Sequence, residues 1–175
     1  MDLKKYIRSI PDYPKKGILF RDITTLIKDE KAFAECINQI VDKCKKYDVD
    51  KIAAIESRGF VFASAVSYIL KKPFIMLRKK NKLPADVHSV DFQLEYGTAT
   101  IEVHKDSIKN NENILIIDDL IATGGTAEAA AQLIEMSKGK VAAFIFVINL
   151  FDLGGNENLK KKNYKVENLI EFPGH

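Results

Sequence analysis

The chain has 175 residues, of which 46% are hydrophobic and 29% are charged. This length suits a single globular domain of about 100 to 200 residues, and no apolar run approaches the roughly 18 residues that a membrane-spanning helix needs. The net charge of +3 comes from 27 basic and 24 acidic residues scattered along the chain, which argues against a nucleic-acid-binding surface. We therefore expect one domain over residues 1–175, with no membrane or nucleic-acid partner. Since the N-terminus shows no signal peptide, we also expect a cytoplasmic protein.

The hydrophobic pattern predicts helices that alternate with short buried strands. The expected helices cover residues 30–47, 60–70 and 126–138, and the expected strands cover 51–56, 73–77, 113–118 and 141–150. Residues 94–104 alternate between apolar and polar side chains, as one arm of a hairpin does. Strands that are apolar on both faces indicate an α/β fold: a mostly parallel sheet with helices on both faces, and an inserted antiparallel hairpin.

The cysteine and histidine residues predict neither a disulfide nor a metal site. Cys36 and Cys44 fall on the first expected helix, about 12 Å apart along its axis, which is too far for a disulfide. His88, His104 and His175 lack the spacing of metal ligands. We therefore expect reduced thiols and assign no protein metal ligands.

The stretch "ILIIDDLIATGGT", residues 114–126, joins a buried strand to two aspartates and a glycine turn. Ligands of open parallel sheets bind beyond the carboxyl ends of the strands. Backbone N–H groups of Ala122, Gly124 and Gly125, with the hydroxyls of Thr123 and Thr126, can bind a phosphate at a helix N-terminus. Asp118 and Asp119 can accept hydrogen bonds from sugar hydroxyls or engage a divalent cation, so a ribose 5-phosphate fits. The alternative is that the aspartates only cap the turn and Thr126 is an ordinary N-cap.

Two common phosphate motifs are excluded, because no Lys follows the glycines and the pattern is not G-x-G-x-x-G. The stretch resembles the 5-phosphoribosyl-1-pyrophosphate (PRPP) signature of type I phosphoribosyltransferases. The segments "FRDI", "IESRGFVF", "LRKKNKLP", "LEYGTATIEVH" and "INLFDLGG" resemble the members of that family that act on adenine, and matches run from about Ile10 to the C-terminal "FPGH". Two departures are Ala63-Ser64 after "GFVF", and Lys80-Asn81 where Pro-Gly is more usual.

The resemblance implies that adenine and PRPP react to give AMP and pyrophosphate. It also implies Mg²⁺ bound by the substrate, bridging pyrophosphate and ribose oxygens with few direct protein ligands. Family members pair through the regions around "SRGF" and "RKK", so a homodimer is expected.

The same resemblance assigns the PRPP site. Ser57, Arg58 and Gly59 are expected to hold the pyrophosphate, and Arg78, Lys79 and Lys82 to complete a cationic clamp. Asp118 and Asp119 are expected to bind the ribose hydroxyls and to favour a positively charged sugar ring, while residues 122–126 bind the 5-phosphate. Without the family motif, Arg58 would be interpreted as forming a surface ion pair.

The N-terminal segment 1–30 is expected to bind the base. Phe20 would stack on adenine, and the backbone of Leu19 and Arg21 would bind its polar edge. Glu95 is the expected general base, with Tyr96 beside it, and residues 80–104 form a flexible loop and hairpin lid that excludes water. Without the resemblance, Phe20 would be interpreted as a core residue and Glu95 as a solvent-facing strand residue.

Two other functions stay open at this point. One is a phosphoribosyltransferase for another purine, such as xanthine or guanine, against which "FRDI" and "LEYG" argue. The other is a PRPP-sensing regulator that binds nucleic acid without catalysis, for which 175 residues leave no room for an added helix-turn-helix domain.

Overall fold

The computed structural model describes residues 1–94 and 97–175. Within those residues the strands are β1 (Arg8–Pro11), β2 (Leu19–Asp22), β3 (Lys51–Ile55), β4 (Phe74–Lys79), β5 (Val87–Leu94), β6 (Gly97–His104), β7 (Asn113–Ile121), β8 (Lys140–Leu150) and β9 (Val166–Phe172). The helices are α1 (Thr24–Ile27), α2 (Glu30–Cys44), α3 (Arg58–Leu70), α4 (Gly125–Met136) and α5 (Gly155–Lys161), with short 3₁₀ turns at Leu3–Tyr6 and Phe151–Leu153.

Seven strands form one sheet in the order β5-β6-β4-β3-β7-β8-β9. The five strands from β4 to β9 in this order pair in parallel. β6 runs antiparallel to β4, and β5 antiparallel to β6, so β5 and β6 form a hairpin at one edge. β1 and β2 form a separate two-stranded antiparallel sheet. The expected α/β fold with a mostly parallel sheet and an inserted hairpin is confirmed.

The central strands are buried on both faces, which explains why their sequences show apolar runs and not alternation. On one face, Leu115 of β7 packs in a cluster with residues of α2 and α3, among them Phe62. On the other face, Ile114 and Phe144 pack in a cluster with residues of α4, including Leu133. Helices therefore cover both faces of the sheet, as expected.

The structure corrects several expected boundaries. β7 continues through Asp118 and Asp119 to Ile121, because β8 keeps pairing beside it as far as Asn149. Residues 87–94, part of the segment expected as a flexible loop, form β5, and the apolar alternation of Val90 and Phe92 was the signal for it. The N-terminal strands β1 and β2 and the last strand β9 were not predicted. Short strands beside Pro and Gly residues carry too little periodicity to be recognised.

Two further observations bear on the expectations. Cys36 and Cys44 are buried and free on α2, and burial raises the pKa of each thiol to about 12. In the part of the chain that the structure describes, no helix is long and apolar enough to cross a membrane.

Candidate active site

A cavity of about 430 Å³ lies at the carboxyl ends of β3 and β7, where ligands of parallel sheets bind. Its lining brings together residues from the expected PRPP site: Ser57, Arg58, Lys79, Asp118, Asp119, Ala122, Thr123, Gly124, Gly125 and Thr126. Glu56, Leu120 and Ile121 also line it and were not selected from the sequence. We refer to this cavity as the cleft.

Two helices begin at the cleft with uncapped N-termini. α3 starts at Arg58 and α4 at Gly125, and among the described residues no side chain caps either start. By contrast, α2 starts away from the cleft, and the Asp29 carboxylate accepts hydrogen bonds from the N–H groups of Lys31 and Ala32. The first N–H groups of a helix carry partial positive charge. The cleft is therefore suited to anions at two places.

Asp118, Asp119 and Arg58 form the charged centre of the cleft. Arg58 Nε lies 2.9 Å from Asp119 Oδ2, and Asp119 is only 4% exposed. The N–H of Asp119 donates to Asp118 Oδ1 at 2.9 Å. A Cβ atom at position 59 would lie 2.8 Å from the same Asp118 oxygen, so a glycine is required for α3 to start this close to the carboxylates.

The pKa values of both aspartates are raised. Burial raises the pKa of Asp118 well above its usual range, and the negative charge of Asp119 raises it further. Burial also raises the pKa of Asp119, against the opposing effect of Arg58. In the free protein, the ionised forms of both carboxylates are therefore destabilised. A cation or a positively charged sugar ring beside them would stabilise these ionised forms.

The loop from Ala122 to Gly125 has a backbone shape fixed by glycines. Gly124 has φ of +92°, a left-handed conformation that favours glycine. The N–H of Gly155 donates to the carbonyl of Ala122 at 3.0 Å, and a Cβ at Gly155 would lie 2.4 Å from that oxygen. Gly155 therefore packs directly against this loop. The sequence signal for Gly155 was the "GG" of "LFDLGG", which lies in one of the segments that resemble the family. Thr126 is within α4 and is not its N-cap, because Gly124 occupies that position.

Phe20 lies beside the cleft on β2, paired with Ile10 of β1. The ring of Tyr13 packs edge-on against it at 5.1 Å between ring centroids. The Arg58 guanidinium carbon lies 5.7 Å from the centre of the Phe20 ring. Leu19 and Arg21 flank Phe20 on the same strand. Phe20, the residue expected to stack on the base, therefore lies next to Arg58 of the expected PRPP site.

The side chain of Arg21 joins β2 to the C-terminal segment, a role that sequence analysis did not identify. Arg21 is 7% exposed, donates to Ser9 Oγ, and donates to the carbonyl of Pro173 at 2.9 Å. Its guanidinium carbon also lies 4.4 Å from the centre of the Phe172 ring. The N–H of Gly174 donates to Asp152 Oδ1 at 2.6 Å, which fixes the same terminal segment. The C-terminal residues thus hold β2 in place.

The remaining expected site residues lie in different surroundings. Arg78 is half-buried and bound to Glu56 and to the carbonyl of Lys82, so it does not line the cleft. Lys82 lines a neighbouring cavity of about 580 Å³, with Phe92 and Ile101 of the hairpin. Glu95 and Tyr96 lie outside the residues that the structure describes.

The cleft offers few protein ligands for a metal ion. Of the residues described, no group of three or more His, Cys, Asp or Glu side chains could hold one. Asp118 and Asp119 are the paired carboxylates in the cleft, and one of them is already bound to Arg58. This donor set fits a cation held mostly by oxygens of a bound ligand.

Comparisons with known proteins identify the family to which the chain is similar. Residues 23–174 match the family model of the phosphoribosyl transferase domain. An adenine phosphoribosyltransferase of Pelagibacter ubique is 79% identical over 175 residues and covers all of both chains. The crystal structure of adenine phosphoribosyltransferase from Thermoanaerobacter pseudethanolicus has a TM-score of 0.93 and 43% identity, with 98% of each chain covered. The enzyme from Saccharomyces cerevisiae, solved with an imino-altritol bisphosphate and adenine, has a TM-score of 0.88 and 32% identity, with 96% of each chain covered.

Proposed function

The chain belongs to the phosphoribosyltransferase family and, within it, to the adenine phosphoribosyltransferases, and on that premise we infer that its cleft joins adenine to the 5-phosphoribosyl group of PRPP. The products are AMP and pyrophosphate, so the reaction is one of purine salvage. The base nitrogen displaces pyrophosphate at the anomeric carbon, through a transition state in which the sugar ring carries positive charge.

The position of Arg58 is the observation that carries this function. Its Nε is 2.9 Å from Asp119, and its guanidinium carbon is 5.7 Å from the centre of the Phe20 ring. A sugar held at the aspartates would therefore lie next to a base stacked on Phe20. Adjacent sites for both substrates are what a displacement at the anomeric carbon needs.

The edge of the sheet at the carboxyl ends of the parallel strands, called the sheet edge below, would bind the three parts of PRPP separately. The uncapped start of α4 and the loop from Ala122 to Gly125 would bind the 5-phosphate through N–H groups. Asp118 and Asp119 would accept the ribose hydroxyls. The start of α3, with Ser57 and Arg58, and Lys79 of β4 would bind the pyrophosphate.

The paired aspartates would also stabilise the transition state. Their negative charge would lie beside a ring that becomes positive, and Asp119 is largely screened from water, where electrostatic stabilisation is strong. Mg²⁺, when bound by PRPP, would neutralise part of the pyrophosphate charge. The protein oxygens that face it would be those of Asp118 and Asp119.

The N-terminal segment would bind adenine. Phe20 would stack on the base, and the backbone of Leu19 and Arg21 would bind its polar edge. Glu95 would accept the imidazole proton of adenine, with Tyr96 beside it, when the segment 80–104 closes over the reactants.

An activity panel tests the function directly. Purified protein, PRPP and Mg²⁺ would be incubated with adenine, guanine, hypoxanthine or xanthine, and nucleotide formation followed. We expect the highest kcat/KM with adenine and no turnover when a chelator removes the divalent cation. A higher kcat/KM with another base would make the chain a different purine phosphoribosyltransferase. Phe20→Ala should raise the KM for adenine and leave the KM for PRPP nearly unchanged.

We also propose a homodimer in the cytoplasm. Val61 and Tyr68 lie seven residues apart on one face of α3 and are 38% and 86% exposed, and Met76 of β4 is 46% exposed. Val61 follows Arg58 by three residues and Met76 precedes Arg78 by two, and exposed apolar side chains of this kind suit an interface between copies. Two buried thiols without a disulfide are in keeping with a reducing compartment. Sedimentation should give twice the chain mass of 19.7 kDa. A fully active species of single-chain mass would contradict the dimer.

A further inference from the structure

Glu56 is a third carboxylate that lines the cleft, directly before Ser57 and Arg58. Its side chain is 14% exposed. A negative charge beside a site for pyrophosphate would weaken binding unless cations balance it. The contacts of Glu56 show how it is balanced.

Both carboxylate oxygens of Glu56 accept hydrogen bonds from residues at the end of β4. Oε1 accepts from Arg78 Nη2 at 3.3 Å, and Oε2 accepts from the backbone N–H of Lys79 at 2.8 Å. Burial alone would raise the pKa of Glu56, but the bond from Lys79 and the contact with Arg78 outweigh it and lower the pKa. The carboxylate is therefore charged and fully engaged.

The Glu56 side chain extends the parallel pairing of β3 and β4 by one bond. Ile55 and Leu77 are the last residues in register, and the N–H of Glu56 donates to the carbonyl of Leu77 at 2.9 Å. In a parallel ladder, the next donor, the N–H of Lys79, would bind the backbone carbonyl of Glu56. Here the carboxylate accepts that bond as the main chain turns toward α3.

We propose that Glu56 is a positioning residue for the pyrophosphate end of PRPP, an inference that rests on the proposed function. It contacts the cationic segment and not the substrate. By joining the end of β3 to the end of β4, it fixes Lys79 relative to the Ser57–Arg58 turn. Because Arg78 balances its charge and in turn donates to the carbonyl of Lys82, the side chain of Lys79 stays available for the ligand.

Glu112 offers a matched control. Its carboxylate accepts from the backbone N–H of Lys109 at 2.8 Å and pairs with Lys51 at 2.9 Å, and its side chain is 18% exposed. Contacts with the same kinds of groups lower its pKa as well. Glu112 lies before the start of β7, at the opposite edge of the sheet from the cleft. Its removal should cost similar stability without touching the site.

The test compares Glu56→Ala, Glu56→Gln and Glu112→Ala in the full chain. Steady-state kinetics with both substrates varied would be combined with calorimetric titration of pyrophosphate and Mg²⁺. For Glu56→Ala we expect the KM for PRPP and the Kd for pyrophosphate to rise about tenfold, the effect of losing hydrogen bonds to a charged group. The KM for adenine should change less than about twofold, since the partners of Glu56 belong to β4 and none belongs to the N-terminal segment that holds Phe20. Glu56→Gln keeps an acceptor for the Lys79 N–H, so it should recover part of the loss.

Glu112→Ala should lower Tm about as much as Glu56→Ala does and leave both KM values unchanged. Equal KM values for PRPP and equal pyrophosphate affinities in Glu56→Ala and Glu112→Ala would overturn the proposal and make Glu56 a stability residue only. An equal rise in both KM values for Glu56→Ala would also overturn it. If the wild-type chain made no AMP, the proposed function would fail, and the pyrophosphate titration would still decide the role of Glu56.

Discussion

The two ends of the cleft are built in different ways. At the sheet edge, most of the cleft lining comes from two contiguous segments, 55–58 and 118–127, which include the starts of α3 and α4. At the base end, β2 is held by side-chain contacts with the other end of the chain, through Arg21 and Pro173. The first end depends on backbone geometry, and the second on the packing of distant segments.

This difference predicts how mutations at each end affect substrate binding. A change that displaces the backbone at the sheet edge should impair PRPP binding severely, because preorganised N–H groups cannot be replaced by neighbours. A change in the packing of the base end should loosen adenine binding by a moderate factor. Arg58, which contacts both Asp119 and Phe20, is the one described residue whose loss we expect to affect both.

The largest effect is expected from Asp118→Asn. The variant keeps the size and the acceptor oxygen of the side chain and loses the charge that would stabilise the sugar ring, so kcat should fall about 10²- to 10³-fold. Because burial raises the pKa of Asp118, the charged carboxylate destabilises the folded state at pH values above the ordinary range of a carboxyl group. Tm at pH 7 should therefore stay equal or rise. An unchanged kcat would leave Asp118 as a structural residue only.

Gly155→Ala tests the sheet edge through its backbone. The new Cβ would lie 2.4 Å from the Ala122 carbonyl oxygen and 2.7 Å from the Gly124 nitrogen, so the loop from Ala122 to Gly125 has to move. A displacement of about 1 Å can cost about 10²-fold in activity, and we expect that loss in kcat/KM for PRPP. Initial rates at saturating adenine would measure it. A fully active variant would show that the loop tolerates displacement.

Arg21→Lys tests the base end. Lysine keeps the charge but cannot donate to Ser9 and Pro173 in the planar fork geometry of a guanidinium, nor stack in the same way on Phe172. We expect the KM for adenine to rise about tenfold and the KM for PRPP to change less than about twofold. Since no residue of β2 lines the cleft, equal rises in both constants would argue against separate ends.

Glu167→Gln is expected to leave both ends intact and to affect stability alone. Glu167 binds Lys43, Lys46 and Tyr47, and these partners lower its pKa from 4.5 to about 2. A depressed pKa stabilises the folded state above 4.5, and this stabilisation is lost as the pH falls toward about 2. The variant should lose on the order of 2 kcal/mol in the free energy of unfolding at pH 7. Denaturant unfolding at several pH values should show that difference vanish near pH 2, and a difference independent of pH would contradict the assignment.

That the residues of 118–126 gather in one cavity could be predicted from the sequence for physical reasons. A buried strand that runs into Asp118 and Asp119, followed by glycines and a helix, brings these side chains and N–H groups together by local geometry alone. The continuation of β7 through both aspartates could not be predicted, because it depends on pairing with β8. The same holds for Glu56, whose partners belong to β4.

The support of the base end could not be predicted. Arg21 and Pro173 are far apart in the chain, and nothing in "FRDI" or "FPGH" indicates that one donates to the other. Gly155 is a similar case: its proximity to the Ala122 carbonyl follows from the tertiary fold. Phe20 was placed by family resemblance, since an aromatic residue on a short strand indicates core as readily as a binding site.

The division of the cleft between its two substrates is tested most directly by one crossed kinetic measurement. AMP formation would be measured with adenine and PRPP both varied, in the wild type, Gly155→Ala and Arg21→Lys. We expect Gly155→Ala to impair kcat/KM for PRPP by about 10²-fold with little change in the KM for adenine, and Arg21→Lys to do the reverse by about tenfold. Parallel losses for both substrates in both variants, or wild-type values in both, would contradict a cleft whose two ends bind PRPP and adenine separately.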